Sequence, residues 1–151
     1  MFRYTLVPAE FFNPADAHRI LSEAVRLSQE DKVNYQELPQ FKAVLVYAPS
    51  PDGAAPVIAE LLERVSSIEE QNKVAACFDG EAVHLVIVTG EKLVVANSYP
   101  APDIATADYF LFEGMKRFRI DPQMTALWLH EPVSREMVDS LKPYCREVRT
   151  L

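Results

Sequence analysis

Glycine is scarce in this chain: Gly53, Gly80, Gly90 and Gly114 are the only ones among 151 residues, and no two are neighbours. That argues against phosphate loops, which bring backbone amides close to an anion without intervening side chains. Cysteine is scarcer. Cys77 and Cys145 are too few and too far apart for a disulfide framework. Cys77 stands in the apolar run Val74-Ala75-Ala76-Cys77-Phe78, where a buried, unreactive thiol is expected. No apolar run approaches the roughly 20 residues a spanning helix needs, and no cationic–apolar leader is recognisable. The expectation is a cytoplasmic protein with no membrane partner.

Positive charge is also in short supply. Fifteen basic residues against 22 acidic ones leave a net charge of −7, which repels a phosphate backbone, so no nucleic-acid partner is expected. The densest basic cluster, Lys116-Arg117 with Arg119, is interrupted by Phe118 and reads as a solvated helix end. The histidines, His18, His84 and His130, are far apart and lack partners at metal-ligand spacing. No metal is expected. His18 reads as exposed on its helix, and His84 as a satisfied imidazole within a strand. There is no Gly-x-Ser-x-Gly elbow and neither cysteine has a base near it in sequence, so no catalytic residue is assigned.

What remains is an α/β pattern. Phe2 to Val7 reads as a strand, followed by a short helix begun at Pro8. Asn13-Pro14 reads as the cap and first position of a helix running to about Ser28. Val33 to Leu38 alternates weakly, as an edge strand or extended connection would. Phe41 to Ala48 is apolar enough for a strand buried on both faces. Pro49 to Gly53 is a turn, and Ala54 to Val65 an amphipathic helix.

The polar stretch Ser66 to Asn72 marks the expected boundary between two lobes, residues 1–67 and 68–151. Three strands follow, Lys73–Phe78, Ala82–Thr89 and Lys92–Ser98, joined at Asp79-Gly80 and Gly90-Glu91. An Asp-Gly pair between apolar runs signals a hairpin with positive φ at both central residues. Asp103 should cap a helix to about Phe118, and Thr125–His130 should be a strand. Val133–Leu141 should form a helix and Arg146–Thr150 a last strand. The order β-β-β-α-β-α-β is a meander followed by helix-linked parallel strands: a mixed sheet of ribonuclease H-like type.

Several segments carry a family resemblance. Tyr4-Thr5-Leu6-Val7-Pro8-Ala9-Glu10-Phe11-Phe12, Ala107-Asp108-Tyr109-Phe110-Leu111-Phe112 and Arg119-Ile120-Asp121-Pro122 together resemble the bacterial domain-of-unknown-function family 3822. The resemblance covers essentially the whole chain and implies the actin-like ATPase form of the ribonuclease H-like fold. It further implies that extra strands precede the segment equivalent to Met1–Pro8, which makes residues 1–67 a partial lobe.

The ATPase pattern places one residue between aspartate and glycine in its first hairpin, and Asp79-Gly80 does not. Where a glycine pair would cradle adenine stands His130-Glu131-Pro132. ATP and other cofactors are therefore not expected. A two-metal nuclease would have to use Asp79 and Glu113, which read instead as a turn residue and a solvated helix residue. Trp128 reads as core, and Tyr99 as either an exposed contact point or part of a rigid proline-rich connection.

The leading expectation is a non-catalytic binding or scaffold module, partnered by another protein or a second copy. The alternative is a nucleotide-binding protein with an unconventional site in the cleft between lobes, built from Asp79, His130 and Glu131. His130 and Glu131 stand at a strand's carboxyl end, where open α/β sheets bind ligands.

Overall fold

The computed structural model describes residues 2–151, and the chain separates into two compact units, Met1–Ala59 and Glu60–Leu151.

In the first unit, β1 (Tyr4–Pro8), β3 (Ala43–Tyr47) and β2 (Asn34–Leu38) form an antiparallel sheet in the order β1-β3-β2. The most apolar strand takes the centre, burying Val44, Leu45 and Val46. The weakly alternating segment takes an edge. Asn13 accepts a hydrogen bond from the Ala15 amide at 3.1 Å, but the residues it caps form a tight 3-10 turn, Pro14–Asp16. Helix α1 (Ala17–Ala24) follows. It ends earlier than its apolar stripe suggests, because Val25 is already extended at φ −136°. Val25 and Leu27 nevertheless pack with Ala17, Leu21, Val44 and Val46, so the stripe marks burial beyond the helix itself. Helix α2 (Val57–Arg64) spans the division between the units.

The second unit is built on β4 (Asn72–Phe78), β5 (Ala82–Thr89), β6 (Lys92–Pro100), β7 (Ala126–Leu129) and β8 (Glu147–Thr150). They lie in the order β6-β5-β4-β7-β8, antiparallel across the meander and parallel from β4 to β7 and β7 to β8. The crossovers carry α3 (Ile104–Arg117) and α4 (Arg135–Leu141). This is the expected β-β-β-α-β-α-β order. Asp103 caps α3 by accepting from the Thr106 amide at 2.8 Å, and Ser134 caps α4 at 3.1 Å from the Met137 amide. The core runs from Val74, Val83, Leu85 and Ile87 on the sheet to Leu111, Met115 and Leu141 on the helices.

The first hairpin differs in one residue from the expected turn. Phe78 pairs with Val83 and the Asp79 amide donates to the Ala82 carbonyl at 3.2 Å. The central pair is thus Gly80-Glu81, and only Gly80 has positive φ, at +92°. A glycine leading a two-residue turn is the other favoured hairpin solution. No helix among the described residues is long and apolar enough to cross a membrane.

Candidate functional site

Because β4 and β7 are parallel neighbours with Ala76 opposite Leu129, the residues that follow them emerge at one edge of the sheet. That brings Asp79, His130 and Glu131 to the same carboxyl edge, as a site at the strand ends requires. Their polar atoms, however, are engaged with different neighbours. The Asp79 Oδ1 accepts from the amides of Glu81 at 2.9 Å and Ala82 at 2.8 Å. Its Oδ2 lies 3.4 Å from His84 Nε2. Burial pulls the Asp79 carboxyl up, but those two amides and His84 together hold it below the usual aspartate value.

His130 donates its backbone N–H to the Ala76 carbonyl at 2.8 Å. Its Nε2 lies 3.8 Å from the Glu60 carboxylate, and its Nδ1 is buried without a hydrogen-bond partner. Glu131 is exposed and precedes a cis proline. Its carbonyl accepts from the Cys77 thiol at 3.2 Å, tying the two strand ends together. Burial, followed by the nearby Asp79 charge, raises the Cys77 thiol to about 11. That is a resting thiol, not a nucleophile.

The remaining sequence candidates resolve simply. His84 is buried, with Nδ1 2.7 Å from the Ser98 hydroxyl. His18 is half-buried, its Nε2 2.9 Å from the Ser28 carbonyl. Trp128 is only half-buried, because it lies next to the edge strand β8, whose Arg149 covers its ring at 5.4 Å. Tyr99 belongs to β6 rather than a loop, and its ring stacks on Phe110 at 4.4 Å. No cluster of three or more histidine, cysteine or acidic residues is placed to hold a metal among the described residues.

A second concavity was not visible in the sequence. A cavity of about 840 Å³ lies along the outer side of α3, lined by Ala105, Asp108, Tyr109, Phe112 and Lys116. These recur at helical spacing, one stripe round from the core residues Ala107, Leu111 and Met115. The segment from Arg119 to Gln123 and the exposed ring of Tyr144 complete the walls. The cavity's one trace in the sequence is the cluster of aromatics Tyr109, Phe110 and Phe112 on α3, which does not by itself point to a cavity.

A mixed sheet with its meander and parallel crossovers is the frame of the actin-like ATPases, and a solved structure bears that out. A Bacteroides thetaiotaomicron VPI-5482 protein, described as having an actin-like ATPase fold and unknown function, superposes with a TM-score of 0.76. The two are 16% identical, and the match covers 100% of this chain and 65% of that protein. The chain therefore has the actin-like ATPase fold and spans just under two thirds of that protein's length. It belongs to the family described as protein of unknown function (DUF3822), whose profile matches residues 2–54 and 52–148. A PilM-PilN type IV pilus biogenesis complex also aligns, at a TM-score of 0.49 and 13% identity, over 100% of this chain and 66% of the other. No curated protein sequence matches the chain.

Proposed function

We propose that this protein is a binding module that keeps the actin-like shape without working as a nucleotide hydrolase. The observation that supports this is the Asp79 carboxylate, which takes the Glu81 and Ala82 amides of the first hairpin for itself. In a phosphate-binding hairpin the backbone amides face the anion. Here a carboxylate, held in its charged form, sits on two of those donors and repels a polyphosphate. The partner in this reading is another protein or a second copy of the chain, in the cytoplasm. The division into a partial lobe, residues 1–67, and a ribonuclease H-like lobe, residues 68–151, belongs to the same reading. The strands β6 and β8 are the edges of the five-stranded sheet, the positions at which a further strand is added.

The test is a thermal-unfolding scan with and without Mg-ATP, beside sedimentation of the pure chain and of the chain in cell extract. No shift, together with a dimer or a recovered partner, is the expected result. Ligand at a hundred times its Kd stabilises by about 2.7 kcal/mol. A shift of that order, lost in Asp79→Ala, would instead favour a nucleotide site using Asp79, His130 and Glu131.

A further inference from the structure

The cavity beside α3 stands apart from the edge that carries Asp79 and His130. Its Arg119–Gln123 wall precedes β7, at the strand's amino end, whereas His130 follows the carboxyl end. At about 840 Å³ it falls within the roughly 300–1,000 Å³ typical of small-molecule pockets. Tyr109, Phe112 and Tyr144 give it aromatic walls, and Phe112 and Tyr144 meet edge-on at 5.7 Å.

Its charges are arranged unevenly. Lys116 and Arg119 are exposed at the cavity and neither forms an ion pair among the described residues. Asp121 also lines it, with one carboxylate oxygen accepting from the Gln123 amide at 3.0 Å. Asp108 is tied to the Ser140 hydroxyl at 2.7 Å, and its other oxygen is buried without a partner. Burial pushes this carboxyl up towards the neutral form, with the Ser140 bond opposing. Lys116 and Arg119 thus share the cavity with the carboxyls of Asp121 and Asp108, the latter half-buried and already bonded to Ser140, on a chain of net charge −7.

Arg119 supplies a second, independent observation. Helix α3 closes with the Ile120 amide donating to the Met115 carbonyl at 2.9 Å and the Arg119 amide to Lys116 at 3.1 Å. That closure puts Arg119 at φ +57°, the left-handed position where helices ordinarily place glycine. A β-carbon there is locally unfavourable, and the same left-handed position is taken by Lys42 at φ +51° after Pro39–Phe41. What Arg119 adds is a guanidinium fixed at the cavity wall by the helix end.

We propose that this cavity binds a small amphiphilic anion: a flat apolar body seated against Phe112 and Tyr144, with one carboxylate or sulfonate held by Arg119 and Lys116. The site is independent of whether the Asp79 edge takes a nucleotide. The probe is 8-anilinonaphthalene-1-sulfonate, titrated by fluorescence and displaced by 2-naphthoate or by its neutral counterpart 2-naphthalenemethanol. Saturable binding of one dye per chain is expected, with the naphthoate competing at least roughly tenfold better than the alcohol. Arg119→Gly should raise the melting temperature, because it relieves the helix end, while weakening dye binding about 3–10-fold. Lys116→Gln should weaken binding without raising the melting temperature. Equal competition by the neutral alcohol, or dye affinity unchanged in both variants, would overturn the proposal. So would absence of saturable binding, which would leave the face to a macromolecule.

Discussion

Nε2 of His84 lies 3.4 Å from the Asp79 carboxylate, so the hairpin turn and the buried face of β5 are joined through one imidazole. Burial pushes His84 below its usual value, and Asp79 opposes this only in part. A base whose folded pKa is depressed takes up its proton more readily when unfolded. Its contribution is therefore complete above the unfolded value near 6.5 and is lost as pH falls through the folded one. Urea midpoints should fall between pH 7.5 and pH 5.5, and His84→Gln should flatten that slope. A wild-type midpoint that holds steady or rises over the interval would contradict this account. The Asp79 contribution is separate, being full above the ordinary aspartate value of 3.8 and lost below it.

Asp79 is also a structural acceptor. Its Oδ1 satisfies two amides that the hairpin leaves over. Removing the side chain in Asp79→Ala should cost about 1–2 kcal/mol. Asp79→Asn keeps an acceptor oxygen in place and should retain most of that stability while removing the fixed charge. Chemical denaturation of the three proteins checks the ordering. If asparagine and alanine cost the same, the charge rather than the turn geometry is what Asp79 contributes.

These two residues also show where sequence reading succeeds and where it stops. Gly80 and Gly90 punctuate three apolar runs, so the meander was legible from local chemistry alone, as was the parallel return through α3. The exact turn was not. Asp79-Gly80 and Gly80-Glu81 are both acceptable central pairs, and the choice between them rests on the register Phe78 opposite Val83, a long-range fact. The placement of Asp79, His130 and Glu131 at one edge followed from strand order, although their polar atoms engage different neighbours there. The cavity beside α3 did not, because the left-handed Arg119 depends on how α3 closes, and Tyr144 arrives from beyond α4. Lys116, Arg117 and Arg119 were read as a solvated helix end, and they do stand exposed at the close of α3; that two of them also line a cavity was not legible. Tyr99 was misread because two prolines, Pro100 and Pro102, suggested a looser connection than a strand that runs through Pro100.

Gly114 is a point where α3 packs closely on the sheet. A β-carbon there would stand 2.7 Å from Leu85 Cδ2 and 3.7 Å from Ile87 Cδ1, both on fully buried side chains of β5. Gly114→Val therefore forces either α3 or Leu85 to move and should destabilise by about 1–3 kcal/mol. Gly114→Ala sets a gain of about 1 kcal/mol in helix propensity against a smaller clash and should lie much closer to wild type. The denaturation midpoints of the pair measure how rigidly α3 is seated. A valine variant as stable as the alanine one would mean that Leu85 has room to turn aside.

The two thiols give a last test, one that needs no substitution. Cys77 and Cys145 are both buried and each is raised to about 11, by burial first and then by Asp79 and Asp108 respectively. Cys77 in addition spends its proton on the Glu131 carbonyl, which favours the thiol over the thiolate. At pH 8 an unfolded cysteine of pKa near 8.5 is about one quarter thiolate, whereas a group near 11 is about one part in a thousand. Reaction with a small aromatic disulfide reagent at pH 8 should therefore be at least about a hundredfold slower in the native protein than in denaturant, for both thiols alike. Steric shielding adds to this and cannot reverse it. If one thiol reacts at the rate of the unfolded chain, then the β4–β7 end at Cys77, or the α4–β8 connection at Cys145, opens readily in solution. Peptide mapping of the labelled cysteine would say which.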